Sequence, residues 1–239
     1  MILTRVQGLA VVAVLGWSYP APANGDFCSS AVFKDAFVEG QGAVDWPSVG
    51  RDLVRFGDRA VPCLDAIARD EAQGSEIPEC KAKPRKCRGW AVLALSTIGT
   101  ARAKGVLLQL LEQKSDPVEI TEVIGGLASN HVSEARPAIR RQLKHESPYV
   151  RAHAILALGA LGDGRDVDAM IAATMSLPWG NLNQAIRGLE FTGDRRVIGT
   201  LEDLAKKFPE PGVQDTIART IERIQTGKAL RPEVKAEKR

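Results

Sequence analysis

Residues 147–175 read Ser-Pro-Tyr-Val-Arg-Ala-His-Ala-Ile-Leu-Ala-Leu-Gly-Ala-Leu-Gly-Asp-Gly-Arg-Asp-Val-Asp-Ala-Met-Ile-Ala-Ala-Thr-Met. The stretch is one complete helix–turn–helix unit. Ser147 is placed to cap the first helix by accepting from a free backbone N–H of its first turn. Pro148 at the first helical position gives up no bonded N–H. Val150, Ala154, Leu158 and Leu161 recur at helical spacing, and Ile155 and Ala157 broaden the apolar stripe. Gly162 suits the left-handed residue past a helix end, and Asp163 can cap the second helix. Val167, Met170, Ile171, Thr174 and Met175 form the second stripe. Ala152, Ala154, Ala157, Gly159 and Ala160 are small enough to let helices approach closely. One hairpin cannot bury both of its faces, so the unit predicts neighbours stacked on it.

Copies of the turn lie on either side. Phe56-Gly57-Asp58-Arg59 and Thr192-Gly193-Asp194-Arg195 repeat Leu161-Gly162-Asp163-Gly164-Arg165. Ile98-Gly99-Thr100-Ala101-Arg102 carries Thr as the cap, and Ala128-Ser129-Asn130 lacks the glycine. From Gly99 through Asn130 and Gly162 to Gly193 the period is about 31 residues, somewhat under the usual length of HEAT and armadillo units. Val150, Arg151, Ala154, Ala157, Leu158, Gly159, Leu161, Gly162 and Asp163 match the pattern Val-Arg-x-x-Ala-x-x-Ala-Leu-Gly-x-Leu-Gly-Asp. The chain therefore resembles HEAT-like repeat proteins, especially the short-repeat kind named after phycobilisome lyases, over about residues 47–225. The resemblance implies an all-α fold: a right-handed α-solenoid of about five helical hairpins with N- and C-terminal capping helices. It also implies that second helices line the inner face. It says little about function, because sites are grafted on folds.

Outward from the centre, residues 1–23 read as a secretory signal peptide. Arg5 supplies the positive start, Gly8 to Trp17 a short apolar run, and Ala21-Pro22-Ala23 the small–x–small cleavage site. The apolar run is far below the roughly 20 residues of a membrane span, and Gly25-Asp26-Phe27 before Cys28 does not suit a lipoprotein. Residues 24–46 form an N-terminal capping segment, with Phe27, Ala31, Val32, Phe33, Ala36 and Phe37 as a stripe. Repeat arrays need such covers at their ends.

The array itself spans residues 47–226. Its first unit has helices near 48–56 and 59–70, the latter bearing Val61, Leu64 and Ile67. Residues 71–87 are polar and interrupt the period as an inserted loop, stretching Gly57 to Gly99 to 42 residues. Lys81, Lys83, Arg85, Lys86 and Arg88 make this insertion basic, and insertions in repeat proteins often serve the binding face. Trp90, Leu93, Ala94 and Ile98 begin the second unit. Ile120, Val123, Ile124 and Leu127 begin the third, Leu182, Ile186 and Leu189 the fifth. A capping helix over 213–225 carries Val213, Ile217, Ile221 and Ile224, and a charged tail with the composition of a disordered segment covers 227–239.

All four cysteines lie early in the chain. Export permits disulfides, and an even count fits two. Of the three pairings, Cys80 with Cys87 and Cys28 with Cys63 is favoured. The first closes a short loop, and the second ties the N-terminal segment to the first unit. A four-cysteine zinc site is the rival, but spacings of 34, 16 and 6 residues lack zinc knuckles.

The formal charge of +3 falls to about +2 once Arg5 is removed, too little for a dedicated nucleic-acid binder. There is no Gly-rich phosphate loop, no Gly-x-Ser-x-Gly and no His-Glu-x-x-His. His131, His145 and His153 read as structural residues, and Asp58, Asp163 and Asp194 as turn caps. No catalytic, metal or cofactor residue is assigned, and no stable membrane insertion is expected. The reading is of an exported, periplasmic or secreted scaffold that binds a protein or peptide on its concave face. The alternative is a periplasmic enzyme, or an enzyme-maturation factor, with a site dispersed between repeats. Arg136, Arg140 and Lys144 fall at four-residue spacing on the second helix of the third unit and are expected to meet an acidic partner. Arg196 and Lys207 in the fifth unit and Lys104 in the second take comparable positions.

Overall fold

The computed structural model describes residues 24–31, 33–34, 36–37, 51–70, 77–162 and 164–229. The signal-peptide, lipoprotein-site and tail readings therefore fall wholly or mostly outside the described residues. Among the described residues the chain is all α-helical, with no strand. It is an α-solenoid of stacked hairpins.

Short helices α1 (Asn24–Ser29), α2 (Arg51–Val54) and α3 (Val61–Ala68) precede α4 (Pro78–Ala82). Four hairpins follow. They pair α5 (Pro84–Ile98) with α6 (Ala101–Gln113), α7 (Pro117–Ser129) with α8 (Arg136–Gln142), α9 (Pro148–Ala160) with α10 (Val167–Met175), and α11 (Leu182–Thr192) with α12 (Val197–Lys207). Helix α13 (Pro211–Gln225) closes the far end.

The first helices α5, α7, α9, α11 and α13 pack on one another in succession and make one layer; the second helices make the other. Between them runs a continuous core. Leu95, Leu107, Leu110, Ile124, Leu127, Ile139, Ile155, Leu189, Leu201 and Leu204 are almost fully buried in it. The tightest contact is between α9 and α11. Added Cβ atoms at Gly159 and Gly188 would run into the partner helix's backbone, the latter 2.5 Å from the Ile155 carbonyl oxygen. Only glycine permits backbones this close.

The turns are built as their residues require. Gly99, Gly162 and Gly193 each sit at positive φ, where a side chain would be strained. Thr100 caps α6 by accepting from the Ala103 N–H, and Asp116 caps α7 by accepting from the N–H groups of Val118 and Glu119. The Asp116 carboxyl is held below its usual range by those two bonds, that of Glu119 first. Ser147 departs from expectation, since its side chain makes no capping bond. Its own N–H donates to His145 Nδ1 at 3.0 Å instead, and Pro148 starts the helix without help. Met175, read as a stripe residue, is exposed. The insertion at 71–87 is not a simple loop: residues 78–82 are helical, and α5 already begins at Pro84, ahead of Trp90, the first residue of the stripe.

At the N-terminal end Phe27, Phe33, Ala36 and Phe37 are buried. Phe27 meets the ring of Phe56 edge-on at 5.2 Å and carries Arg59 over its own face. The cysteines stand in bonding pairs, Cys28 with Cys63 and Cys80 with Cys87. These are the pairs favoured from the sequence.

Arg151, the arginine of the repeat pattern, has a definite task. Its guanidinium donates to the carbonyls of His145 and Glu146, both at 2.8 Å, and to that of Ser176 at 3.3 Å. It therefore satisfies carbonyls on both sides of its own hairpin. Arg195, in the turn of the next unit, reaches the carbonyl of Gln225 at the end of α13 at 3.0 Å.

Candidate functional site

A cavity of about 1130 Å³ opens on the first-helix layer and runs across α5, α7, α9 and α11. Its floor is apolar: Leu93 and Val92 of α5, Ile124 and Gly126 of α7, and Leu156, Ala157 and Ala160 of α9. The small residues at these positions hollow the layer. An added Cβ at Gly126 would collide with the Ser96 hydroxyl.

Charge sits at the rim. Lys86 lies over the Trp90 ring at 6.0 Å, and Arg187 over the Phe191 ring at 5.4 Å. Neither cation has a carboxylate partner among the described residues. Arg85, also at the rim, pairs with Asp116 at 3.4 Å. Between the two ends stands Glu122, with no hydrogen bond to its carboxylate among the described residues. Burial against the groove wall pushes its pKa up, and the nearby Glu119 charge adds to this. His131, at φ +50°, and His153, hydrogen-bonded to the Tyr149 carbonyl at 2.9 Å, line the same groove.

Under this surface lies a polar node joining three units. Glu119 is nearly buried and receives Arg88 Nε at 2.5 Å and Lys114 Nζ at 2.9 Å. Arg88 also pairs with Asp70, and Lys114 donates to the Ala68 carbonyl at 2.6 Å. Burial raises the Glu119 pKa more than any other single effect. The hydrogen bonds and charges of Lys114 and Arg88 together outweigh it and hold the carboxyl below its usual range.

The cations expected to meet a partner are largely engaged inside the molecule. Arg136 pairs with the buried Asp166 at 2.7 Å and donates to the Leu161 carbonyl at 3.1 Å; Arg140 reaches the same carboxylate at 3.4 Å. The carboxylate that meets Arg136 and Arg140 is Asp166, one unit along, supplied by the fold. Arg196 is held by Asp194 and Asp168. Lys207 donates to the Met175 carbonyl at 3.3 Å. Lys144 is exposed and Lys104 half-buried. The structure does not bring the six into the cavity, which lies on the first-helix layer and not along the second helices.

The groove residues were visible in the sequence in one respect. Lys86/Trp90 and Arg187/Phe191 are i,i+4 cation–aromatic pairs, neighbours on a helix surface. Trp90 read instead as a stripe residue, because an aromatic at stripe spacing looks like core; it packs partly against the core and partly lines the groove. Among the described residues no group of three His, Cys, Asp or Glu side chains could hold a metal, and no helix is long and apolar enough to cross a membrane.

Successive antiparallel helix pairs, packed first helix on first helix about a shared core, define a helical-repeat protein. A family model of HEAT repeats matches residues 105–178, from within α6 to just past α10, and the chain is a HEAT-like repeat protein. No curated protein matches it.

Proposed function

We propose that this protein is an exported scaffold that holds a protein segment in the groove of its first helices. HEAT repeats generally mediate protein interactions, so the class favours binding over catalysis. The observation that carries the reading is the groove itself, an apolar trough spanning four helices whose two end cations have no carboxylate partner among the described residues. Apolar surface with a few convergent polar groups is where ligands bind. Export is supported by the two cysteine pairs, which belong in an oxidising compartment, together with the leader-like residues 1–23. Cleavage after Ala23 would leave Asn24 as the first residue of the secreted protein, and intact mass checks it. A product keeping Met1 would overturn export.

A photo-crosslinking side chain at Leu156, on the groove floor, tests the binding surface against one at the exposed Glu202 of α12. Adducts confined to the Leu156 position are expected. Equal adducts at both, or at Glu202 alone, would move the site to the second-helix face with Arg136, Arg140, Lys144, Arg196, Lys207 and Lys104. The enzyme reading keeps one observation, the presence of Glu122, His131 and His153 along a single groove, since a carboxyl with a raised pKa is what an acid catalyst needs. A substrate screen in which turnover is lost in Glu122→Gln would favour it.

A further inference from the structure

The chemistry of the segment held can be read from the groove, on the premise that the groove is the binding surface. Its two ends repeat one arrangement. Lys86 lies over Trp90 at one, Arg187 over Phe191 at the other, and neither cation meets a carboxylate among the described residues. One helix in from the Lys86 end, Glu122 of α7 presents a carboxylate that nothing among the described residues donates to; it lies 3.0 Å from where a Cβ on Gly89 of α5 would stand. The sequence of charge along the trough is positive, negative, positive, over an apolar floor.

The geometry points to a polypeptide segment with carboxylates at its two ends and a cation or amide donor between them, nearer the Lys86 end, lying across α5, α7, α9 and α11. Neighbouring helix axes stand about 8–10 Å apart, so three intervals span about 25–30 Å. At about 3.3 Å per residue, an extended stretch of about eight or nine residues reaches from one clamp to the other. Each end carboxylate meets a cation already fixed over an aromatic face, which lowers the rotamer entropy lost on binding. The intervening donor meets Glu122, and apolar side chains beyond it cover Leu156 and Ala160.

Glu122 also separates this ligand from other anions. A nucleic acid, a polyphosphate or a sulfated glycan is negative along its whole length and would set like charge against Glu122. A basic segment would meet like charge at both ends.

Selection from a displayed library of random peptides of about ten residues, on the full exported chain, tests this. Selected peptides should carry Asp or Glu towards both ends and Lys, Arg, Asn or Gln between. They should bind the Lys86→Glu/Arg187→Glu variant about tenfold or more weakly, and Glu122→Gln should erase the preference for the intervening donor. Lys86→Gln/Arg187→Gln serves should the reversed pair fail to fold. If peptides are selected without acidic ends, or if an all-glutamate peptide of similar length displaces them fully at equal concentration, the ligand chemistry is wrong while the groove reading stands. If nothing is selected, or the selected peptides bind Leu156→Glu undiminished, the groove is not the binding surface and both readings fall.

Discussion

Gly159 of α9 and Gly188 of α11 stand backbone to backbone. A Cβ built on Gly159 would collide with the Gly188 carbonyl oxygen. Alanine at either position must push two helices apart, at a cost of about 1–3 kcal/mol or more from overpacking. That exceeds the helix-propensity gain of about 1 kcal/mol that alanine brings over glycine. Gly105 of α6 is the control, because a Cβ there meets nothing within 4 Å. Denaturant titration should show Gly159→Ala and Gly188→Ala destabilising and Gly105→Ala stabilising.

Glu119 and Glu122 should respond to pH in opposite senses. The Glu119 carboxyl is depressed in the fold by the outcome of burial against Lys114 and Arg88. Its contribution is therefore complete above the ordinary carboxylate value and is lost as pH falls through the folded one. Glu122 is raised, so its ionisation weakens the fold as pH rises through that raised value. Glu119→Gln should lower the melting temperature at pH 7, and Glu122→Gln should raise it slightly. Both differences should shrink as pH falls, that of Glu122 first and that of Glu119 only below its own lowered value.

Reversing Arg136, Arg140 and Lys144 together should not be neutral to stability, although a merely solvated face would make it so. Asp166 is 2% exposed and depends on Arg136 and Arg140. Removing one partner of a buried pair typically costs about 3–5 kcal/mol. Lys144→Glu alone should be nearly silent, within about 0.5 kcal/mol. Thermal melts of the single and triple variants check both.

Reductant should lower the melting temperature, by the loss of about 2–4 kcal/mol per bridge, and metal chelators should leave it unchanged. Peptide mapping under non-reducing conditions should recover Cys28 linked to Cys63 and Cys80 linked to Cys87. Free thiols, or stoichiometric zinc, would count against the pairing.

The period, the glycine turns and most of the stripe were legible in the sequence because each is a local rule. Pro148 and Gly162 do what any helix start and stop would require, and Leu158 is buried where its spacing puts it. What was not legible depends on which particular residues the fold brings together. The role of Arg136 required knowing that Asp166 would be carried to it. Ser147 has the residue type and position of a cap, yet its hydroxyl makes no capping bond. The groove was missed because Lys86 and Arg187 are about a hundred residues apart in a chain with no other sign linking them. Their likeness appears only once α5 and α11 stand on the same layer.

The interfaces between units have a consequence for the gene as well as the protein. Arg88 and Glu119 are 31 residues apart, Arg136 and Asp166 are 30, and Glu190 and Arg223 are 33. Each pair spans one repeat, yet no two use the same residues at the same places. Glu119 is third after the cap Asp116; third after Ser147 is Val150, wholly buried. A copying slip that deleted residues 116–146 would keep the period and the apolar stripes and leave Arg88 facing Val150. Units of nearly equal length are thus not interchangeable. Each recognises one particular neighbour, and the order of the array is inherited as a whole.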